Sequence, residues 1–342
     1  MSNTTANRVG AINGGSDKDA LFLKVFSGEI LTTFDEINVM KDLHTVRTIS
    51  NGKSAQFPAT GVASAKYHTV GDSIGLSGNG YLSDIKSAEI TVNIDDVLLS
   101  SVFLANIDEL KTHYDVRSIY AKELGKALAN RFDQAVMKTL VAGARQNATV
   151  SGGKSGISFA GTNALGSASD IIAGLFSAAQ KLDENDVPSD DRYAILTPTM
   201  YYKLISDNSS NIILNRDFGG SADPSRGTVP QVAGFSIFKS NHLQDVITSA
   251  DQSAVVTGDG ASNNDVFDVN PSGGTLGSGY NGDFTNTGIL AGHKAGVGTV
   301  KLLDLATESE YQIDRQGTLF VAKYAMGHGV IRPECCVEIK TA

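Results

Sequence analysis

The stretch from Arg47 to Ile94 constrains this chain more than any other. It closes on Ala88-Glu-Ile-Thr-Val-Asn-Ile94, where Ala88, Ile90, Val92 and Ile94 alternate with polar residues, the pattern of a half-buried strand. Paired with Ser50–Pro58, this strand predicts a long two-stranded ribbon with few large apolar side chains between its ends. Two strands alone are marginal in water. Such a ribbon is either packed on its own domain or supported by another chain, and the pattern admits both.

The rest of the chain can build a core. Of 342 residues, 41% are apolar, while charged residues reach only 19%, low for a monomer that must wet its whole surface. The formal net charge of -9 argues against a sequence-independent nucleic-acid binder, which needs Lys and Arg to neutralise phosphates. It suits a wall that does not adhere to DNA, and it is also ordinary for a soluble protein. Residues 1–18 are polar and Gly-rich, without the apolar centre of a secretory leader, and no apolar run is long enough for a bilayer. A cytosolic place of synthesis is expected. Adjacent Cys335 and Cys336 point to opposite faces of a strand, so a disulfide between them is strained and a reducing compartment fits.

Residues 1–18 read as a flexible arm, followed by short helical pieces in which Leu23, Phe26, Ile30 and Phe34 recur around Gly28. Asp95-Asp96 predicts a helix start leading into Val97–Leu104. The longest helical signal runs from Val116 to Gly143, with Asp115 as N-cap and Ile119, Leu124, Leu128, Val136 and Leu140 on one face. At about 1.5 Å per residue it would span roughly 40 Å and form the backbone of a domain. Residues 145–168 read as loop. Helix and strand then alternate: a helix over Asp170–Leu182 capped by its Asp, a strand over Tyr193–Thr197, a helix over Pro198–Ile205 and a strand over Phe235–Lys239. A Gly- and Asn-rich surface insertion occupies 257–288. Gly296 to Ala342 reads mostly as strands that return to pair beside the long helix, so the second domain is an insertion into the first. The class is α+β.

A search for chemistry fails at nameable positions. Gly52-Lys53-Ser54 and Gly153-Lys154-Ser155 copy the end of a phosphate loop, but the leading glycine is replaced by Arg47 and Ala148. The acidic run Asp183, Glu184, Asp186, Asp190 and Asp191 lacks calcium-loop spacing and reads as a solvated turn. The six histidines form no metal-binding pair, two thiols do not complete a zinc site, and there is no Gly-x-Ser-x-Gly elbow. No catalytic, cofactor-binding or metal residue is assigned, no cofactor is expected, and the chain reads as a non-enzyme.

Five strings then carry a resemblance: Ala20-Leu-Phe-Leu-Lys-Val-Phe-Ser-Gly-Glu-Ile-Leu-Thr-Thr-Phe34; Val46-Arg-Thr-Ile-Ser-Asn-Gly-Lys-Ser-Ala-Gln-Phe-Pro58; His113-Tyr-Asp-Val-Arg-Ser118 leading into Leu124-Gly-Lys-Ala-Leu-Ala129; Val297-Gly-Thr-Val-Lys-Leu-Leu-Asp-Leu-Ala306; and Ala322-Lys-Tyr-Ala-Met-Gly-His-Gly329 with Arg332-Pro-Glu334. In this order, from Ala20 to the C-terminus, the chain resembles the major capsid proteins of T-seven-like podoviruses. The resemblance implies the Hong Kong 97 (HK-97) phage capsid fold. Its parts would be an N-terminal arm at 1–46, an E-loop ribbon at 47–94 that reaches over a neighbour, and a peripheral domain with the spine helix at 95–149. An axial domain would follow at 150–295, with a variable insertion at 257–288, and peripheral closing strands at 296–342.

The resemblance also implies partners. Hexamers and pentamers of the chain would build an icosahedral procapsid on a scaffolding protein. Double-stranded DNA would enter through a portal at one vertex and be enclosed without specific binding. No membrane is involved. The protein would reside in the virion capsid, and in host cytoplasm during assembly. Relatives in the wider fold cross-link subunits through a Lys–Asn isopeptide bond, and no residue here identifies such a site. On the ribbon, Arg47, Lys53, Phe57, Lys66 and Lys86 are candidate inter-subunit contacts, the cations meeting acidic groups on the next subunit; solvated side chains are the other reading. The competing functions are a bacterial nanocompartment shell of the same fold and an α/β enzyme with its site in 170–300.

Overall fold

The computed structural model of the chain describes residues 38–74, 81, 85–95, 97–105, 116–150, 152–206, 231–248, 284 and 286–341. The helical pieces expected before residue 35, the Asp115 cap, His113 and most of the 257–288 insertion lie outside the described residues. In chain order the elements are β1 (Thr45–Thr48), β2 (Ser54–Thr60), β3 (Ser87–Asn93), β4 (Leu98–Ala105), α1 (Val116–Arg145), β5 (Ile157–Ala160), α2 (Ala168–Glu184), β6 (Arg192–Leu196), α3 (Pro198–Ser206), β7 (Gln231–Val232), β8 (Phe235–Lys239), α4 (Asn241–Thr248), β9 (Thr287–His293), β10 (Val297–Gln312), β11 (Gly317–Val330) and β12 (Cys336–Lys340).

The 30-residue helix α1 organises the molecule. It runs about 45 Å at ~1.5 Å per residue and carries an apolar face without a proline break. Two sheets pack on that face. One is four-stranded, in the order β1-β10-β11-β4, and the other six-stranded, in the order β5-β12-β9-β6-β8-β7. Leu128, Phe132, Val136 and Leu140 of α1 share one core with Phe320 and Tyr324 of the first sheet and with Tyr193, Ile195 and Cys336 of the second. The opposite face of the six-stranded sheet turns Ala194, Leu196, Val337 and Ile339 onto Ile171 and Leu175 of α2 in a second core. Burial on both faces explains why β6 is apolar at successive positions.

The return of the C-terminal strands is as expected for β10 and β11. Strand β10 pairs in parallel with β1 and antiparallel with β11, whose far edge takes β4. The last strand departs from it. After a 3₁₀ turn at Pro333–Cys335, β12 crosses into the six-stranded sheet, between β5 and β9. The chain therefore stitches the two sheets together at its end. Cys335 and Cys336 fall on opposite sides of this sheet, one in each core, and both are free thiols.

Other local expectations are corrected. Leu98–Ala105 is a strand, not a helix: Leu99 and Ser101 face out while Leu98, Ser100 and Val102 turn in, and β11 supplies the ladder. The stretch 145–168 is not all loop, since it contains β5 and a 3₁₀ turn at Thr162–Leu165. Helix α2 starts earlier than expected. Ser167 is its N-cap, and Asp170 answers from the N3 position in a reciprocal capping box. Helix α1 passes through Gly143 and ends at Arg145. The end of the expected surface insertion is not surface: Phe284 is fully buried, and Thr287 opens the buried strand β9.

Candidate functional site

The ribbon forms as a pair of antiparallel strands, Ala55 opposite Val92 and Phe57 opposite Ile90. Its base sits on the face of the four-stranded sheet that looks away from α1. There Ala55, Val92 and Val300 make a small core of their own, with Ile49, Phe57 and Ile94 half-buried around it. The seat is possible because β11 presents glycines on this face. A Cβ on Gly329 would stand 2.6 Å from a Val92 methyl, and one on Gly327 would run into the Asn93 carbonyl. Between them the alternation of the strand turns His328 inward, where its Nδ1 lies 2.8 Å from Thr299 Oγ1 and its ring meets Phe132 edge-on at 5.2 Å. Burial, with the nearby His44 adding to it, pushes the His328 imidazole down to about 3. It is neutral at any ordinary pH. The string Met326-Gly-His-Gly329 thus has a physical reason: two glycines admit the ribbon and the histidine between them packs against the spine.

Beyond its base the ribbon is largely uncovered among the described residues. Residues 62–74 are exposed throughout, including Val62, Val70 and Ile74, with Tyr67 as open as a free side chain. The end is nonetheless ordered by its own hydrogen bonds. The Asp72 N–H donates to the Thr69 carbonyl at 3.1 Å. The Tyr81 hydroxyl donates to Asp72 Oδ2 and accepts from the Thr69 N–H, each at 3.0 Å, and the His68 ring leans on Tyr81. The first reading of the ribbon therefore holds for its base, which packs on its own chain, while residues 62–74 are left uncovered by it.

The five ribbon residues singled out in the sequence divide accordingly. Arg47 is a brace within the chain. Its Nη1 donates to the Gln56 carbonyl at 3.0 Å and its guanidinium lies 5.5 Å from the centre of the half-buried Phe57 ring. Lys53, Lys66 and Lys86 are exposed at separate points along the ribbon, and the Lys86 carbonyl accepts the Gly61 N–H at 2.7 Å.

Two buried carboxylates were not legible in the sequence. Asp133, fully buried in the middle of α1, accepts the N–H groups of Val39 at 2.9 Å and Met40 at 3.2 Å, and lies 2.9 Å from His242 Nδ1 of α4. It ties residues 39 and 40 to the middle of the long helix. Glu338 of β12, also fully buried, receives Arg145, Ser158 and Thr287. Burial raises its carboxyl, but the Arg145 fork and the two hydroxyls outweigh that and leave it below the usual range.

Both carboxylates are taken up by hydrogen bonds within the fold. No three His, Cys, Asp or Glu among the described residues are grouped to hold a metal. The acidic turn is tied down by Arg192, which donates to Asp183 Oδ1 at 2.7 Å, to the Pro188 carbonyl at 2.8 Å and to the Val187 carbonyl. Burial pushes the Cys335 thiol up to about 12 and Cys336 well above its ordinary value, so neither is a nucleophile at neutral pH. No helix among the described residues is long and apolar enough to cross a membrane.

Comparison with known proteins follows the same lines. Residues 56–340 match the family model described as Gp10A-like, major capsid protein. The chain is 32% identical to the major capsid protein of Escherichia phage T7 over 96% of its own length and 94% of that protein. It is 34% identical to the major capsid protein of Enterobacteria phage T3, over 95% and 92% respectively. Among solved structures, a capsid of cyanophage P-SCSP1u superimposes with a TM-score of 0.69 at 38% identity, covering 99% of both chains.

Proposed function

Since this chain belongs to the Gp10A-like major capsid protein family and is a major capsid protein of a tailed phage, we propose that it assembles as hexamers and pentamers into an icosahedral shell around double-stranded DNA. The observation that carries this reading is the ribbon. Its base buries Ala55 and Val92 against Val300, while Val62, Tyr67, Val70 and Ile74 further along stay exposed. A neighbour supplies the missing cover, and each chain offers the same ribbon to the next.

The remaining roles are those that kinship with phage capsid proteins implies. A net charge of -9 lets the wall enclose DNA without adhering to it. A scaffolding protein guides curvature during assembly in host cytoplasm, and one vertex is given over to the portal through which DNA enters. The role is structural in this reading: among the described residues the buried carboxylates are engaged in positioning and the thiols are sealed. Homology to phage capsid chains at 32–38% identity favours a genome-enclosing shell over a cargo compartment or an α/β enzyme.

Negative-stain microscopy of the purified chain, alone and with a scaffolding protein, tests the proposal. Closed particles of uniform diameter are expected with scaffold. Monodisperse small oligomers under both conditions would overturn it.

A further inference from the structure

Three consecutive residues between β5 and α2 stand in the left-handed region: Asn163 at φ 45°, Ala164 at φ 54° and Leu165 at φ 55°. Asparagine tolerates that region, but in alanine and leucine the Cβ crowds the following carbonyl. Left-handed residues ordinarily occur singly. A full turn of them persists only where its surroundings hold it there.

The hold comes chiefly from one side chain. Leu165 is 1% exposed, while Thr162, Asn163 and Ala164 before it are exposed. Its methyls fill a socket made by three glycines from separate segments. A Cβ would stand 2.5 Å from Leu165 Cδ2 on Gly161, 3.6 Å from it on Gly174 of α2, and 2.6 Å from Leu165 Cδ1 on Gly288 of β9. Polar ties hold the ends of the turn. Asn163 Nδ2 donates to Asp170 Oδ1 at 3.2 Å, and the Gly166 N–H donates to the Asn163 carbonyl at 3.1 Å. The same three glycines border Ile339 of β12, and the Gly161 N–H donates to the Lys340 carbonyl at 2.8 Å. The turn thus closes over the end of the last strand, beside β5, which is an edge of the six-stranded sheet.

Two terms of similar size oppose each other here. Closed, the turn buries one leucine and strains two residues that resist left-handed backbone. Open, it sheds the strain and loses the burial. We propose that Thr162–Gly166 is a strap with two states. In one, Leu165 is plugged into its glycine socket over the end of β12. In the other, the backbone has relaxed and Leu165 is outside. Opening frees the β5 edge and the last residues of β12, while the rest of both cores stays packed. The six-stranded sheet thereby yields at one edge alone, as a local opening rather than global unfolding. The device belongs to the single chain and is independent of the shell reading.

Thiol labelling of the unassembled chain tests the strap. Leu165→Cys places a thiol in the socket, and both native cysteines are buried, so the background is low. Without denaturant, this thiol should react with a maleimide at least about tenfold faster than Cys335 and Cys336, which wait for a core to open. Adding Ala164→Gly relieves strain in the closed state only and should slow the labelling by about tenfold. Labelling no faster than that of the native cysteines, or unchanged by Ala164→Gly, overturns the strap and leaves a rigid plug. Should Leu165→Cys fail to fold, hydrogen exchange of the wild-type chain decides. The Gly161 and Thr341 amides, which donate to Lys340 and Asn286, should exchange well ahead of β6. Exchange in step with β6 overturns the proposal. None of these outcomes bears on whether the chain forms particles.

Discussion

Arg145, the last residue of the spine helix, grips Glu338 of the closing strand through two hydrogen bonds, Nε to Oε2 at 2.8 Å and Nη2 to Oε1 at 2.6 Å. The pair joins the C-terminal end of α1, where a cation complements the helix dipole, to β12, the second strand of the six-stranded sheet. Ser158 and Thr287 occupy further acceptor sites of the carboxylate. Replacing Arg145 by Leu leaves a charged group buried with only hydroxyl partners. The expected cost is about 3–5 kcal/mol, the range for breaking one side of a buried pair. Denaturant titration of the unassembled chain reads it as a lower midpoint, and an unchanged midpoint would show that the pair contributes nothing.

The acid response of the fold has a definite sign. Burial holds the imidazoles of His44 and His328 below their ordinary value, His328 at about 3. In the unfolded chain both take up a proton near pH 6.5, so the stability their neutral forms represent is present above that pH and is lost as pH falls. For His328 the loss continues down to about pH 3. Glu338, held below the usual carboxylate range, adds a second loss at lower pH, as it protonates. The melting temperature of the unassembled chain is therefore expected to fall steadily from pH 6.5 downward. His328→Asn, which keeps a partner for Thr299 without titrating, should flatten that slope between pH 6.5 and 4.

What could be read from the sequence was what repeats locally. The spine helix was legible because its apolar face recurs with helical period and no proline interrupts it. Its end was not, because Gly143 resembles a stop signal but serves a close approach: a Cβ there would lie 2.7 Å from Cys336 Sγ. Leu98–Ala105 looked helical behind two aspartates, and the strand that claims it, β11, lies more than two hundred residues downstream. Asp133 and Glu338 stayed hidden for the same reason, since their partners are 93 to 109 and up to 193 residues distant. The ribbon was legible as a pair of strands. Its seat was written in the glycines of β11, a signal that only became readable once the alternation was fixed by His328 pointing inward.

Asp133 offers a test of how the N-terminal segment is held. Its carboxylate takes two backbone N–H groups from Val39 and Met40 and sits beside His242. Asp133→Ala removes all three links at once while improving helix propensity slightly. The expected outcome is a folded body whose segment before His44 is cut much faster by a nonspecific protease. Asp133→Asn retains one acceptor oxygen and should fall between the two. Equal cleavage rates in wild type and Asp133→Ala would mean that the buried contacts of Met40 and His44 suffice without the carboxylate.

The glycines under the ribbon separate folding from assembly. In a strand interior a glycine weakens the ladder, so two of them in β11 are a standing cost that some close approach must offset. That approach is the ribbon: Gly329 faces a Val92 methyl and Gly327 faces the Asn93 backbone. The two contacts differ in how they can yield. Val92 can shift by rotating its side chain, whereas the Asn93 carbonyl moves only if the strand moves. Gly329→Ala should therefore lower assembly yield moderately, and Gly327→Ala should lift the ribbon from its seat. Because the helix-facing residues of β11 are untouched, both variants should keep their far-ultraviolet circular dichroism. Hydrogen exchange should rise across Ser54–Thr60 and Ser87–Asn93 in Gly327→Ala, and particles should be absent in the microscope. If Gly327→Ala assembled as well as wild type, the position of the ribbon base would not matter to the shell.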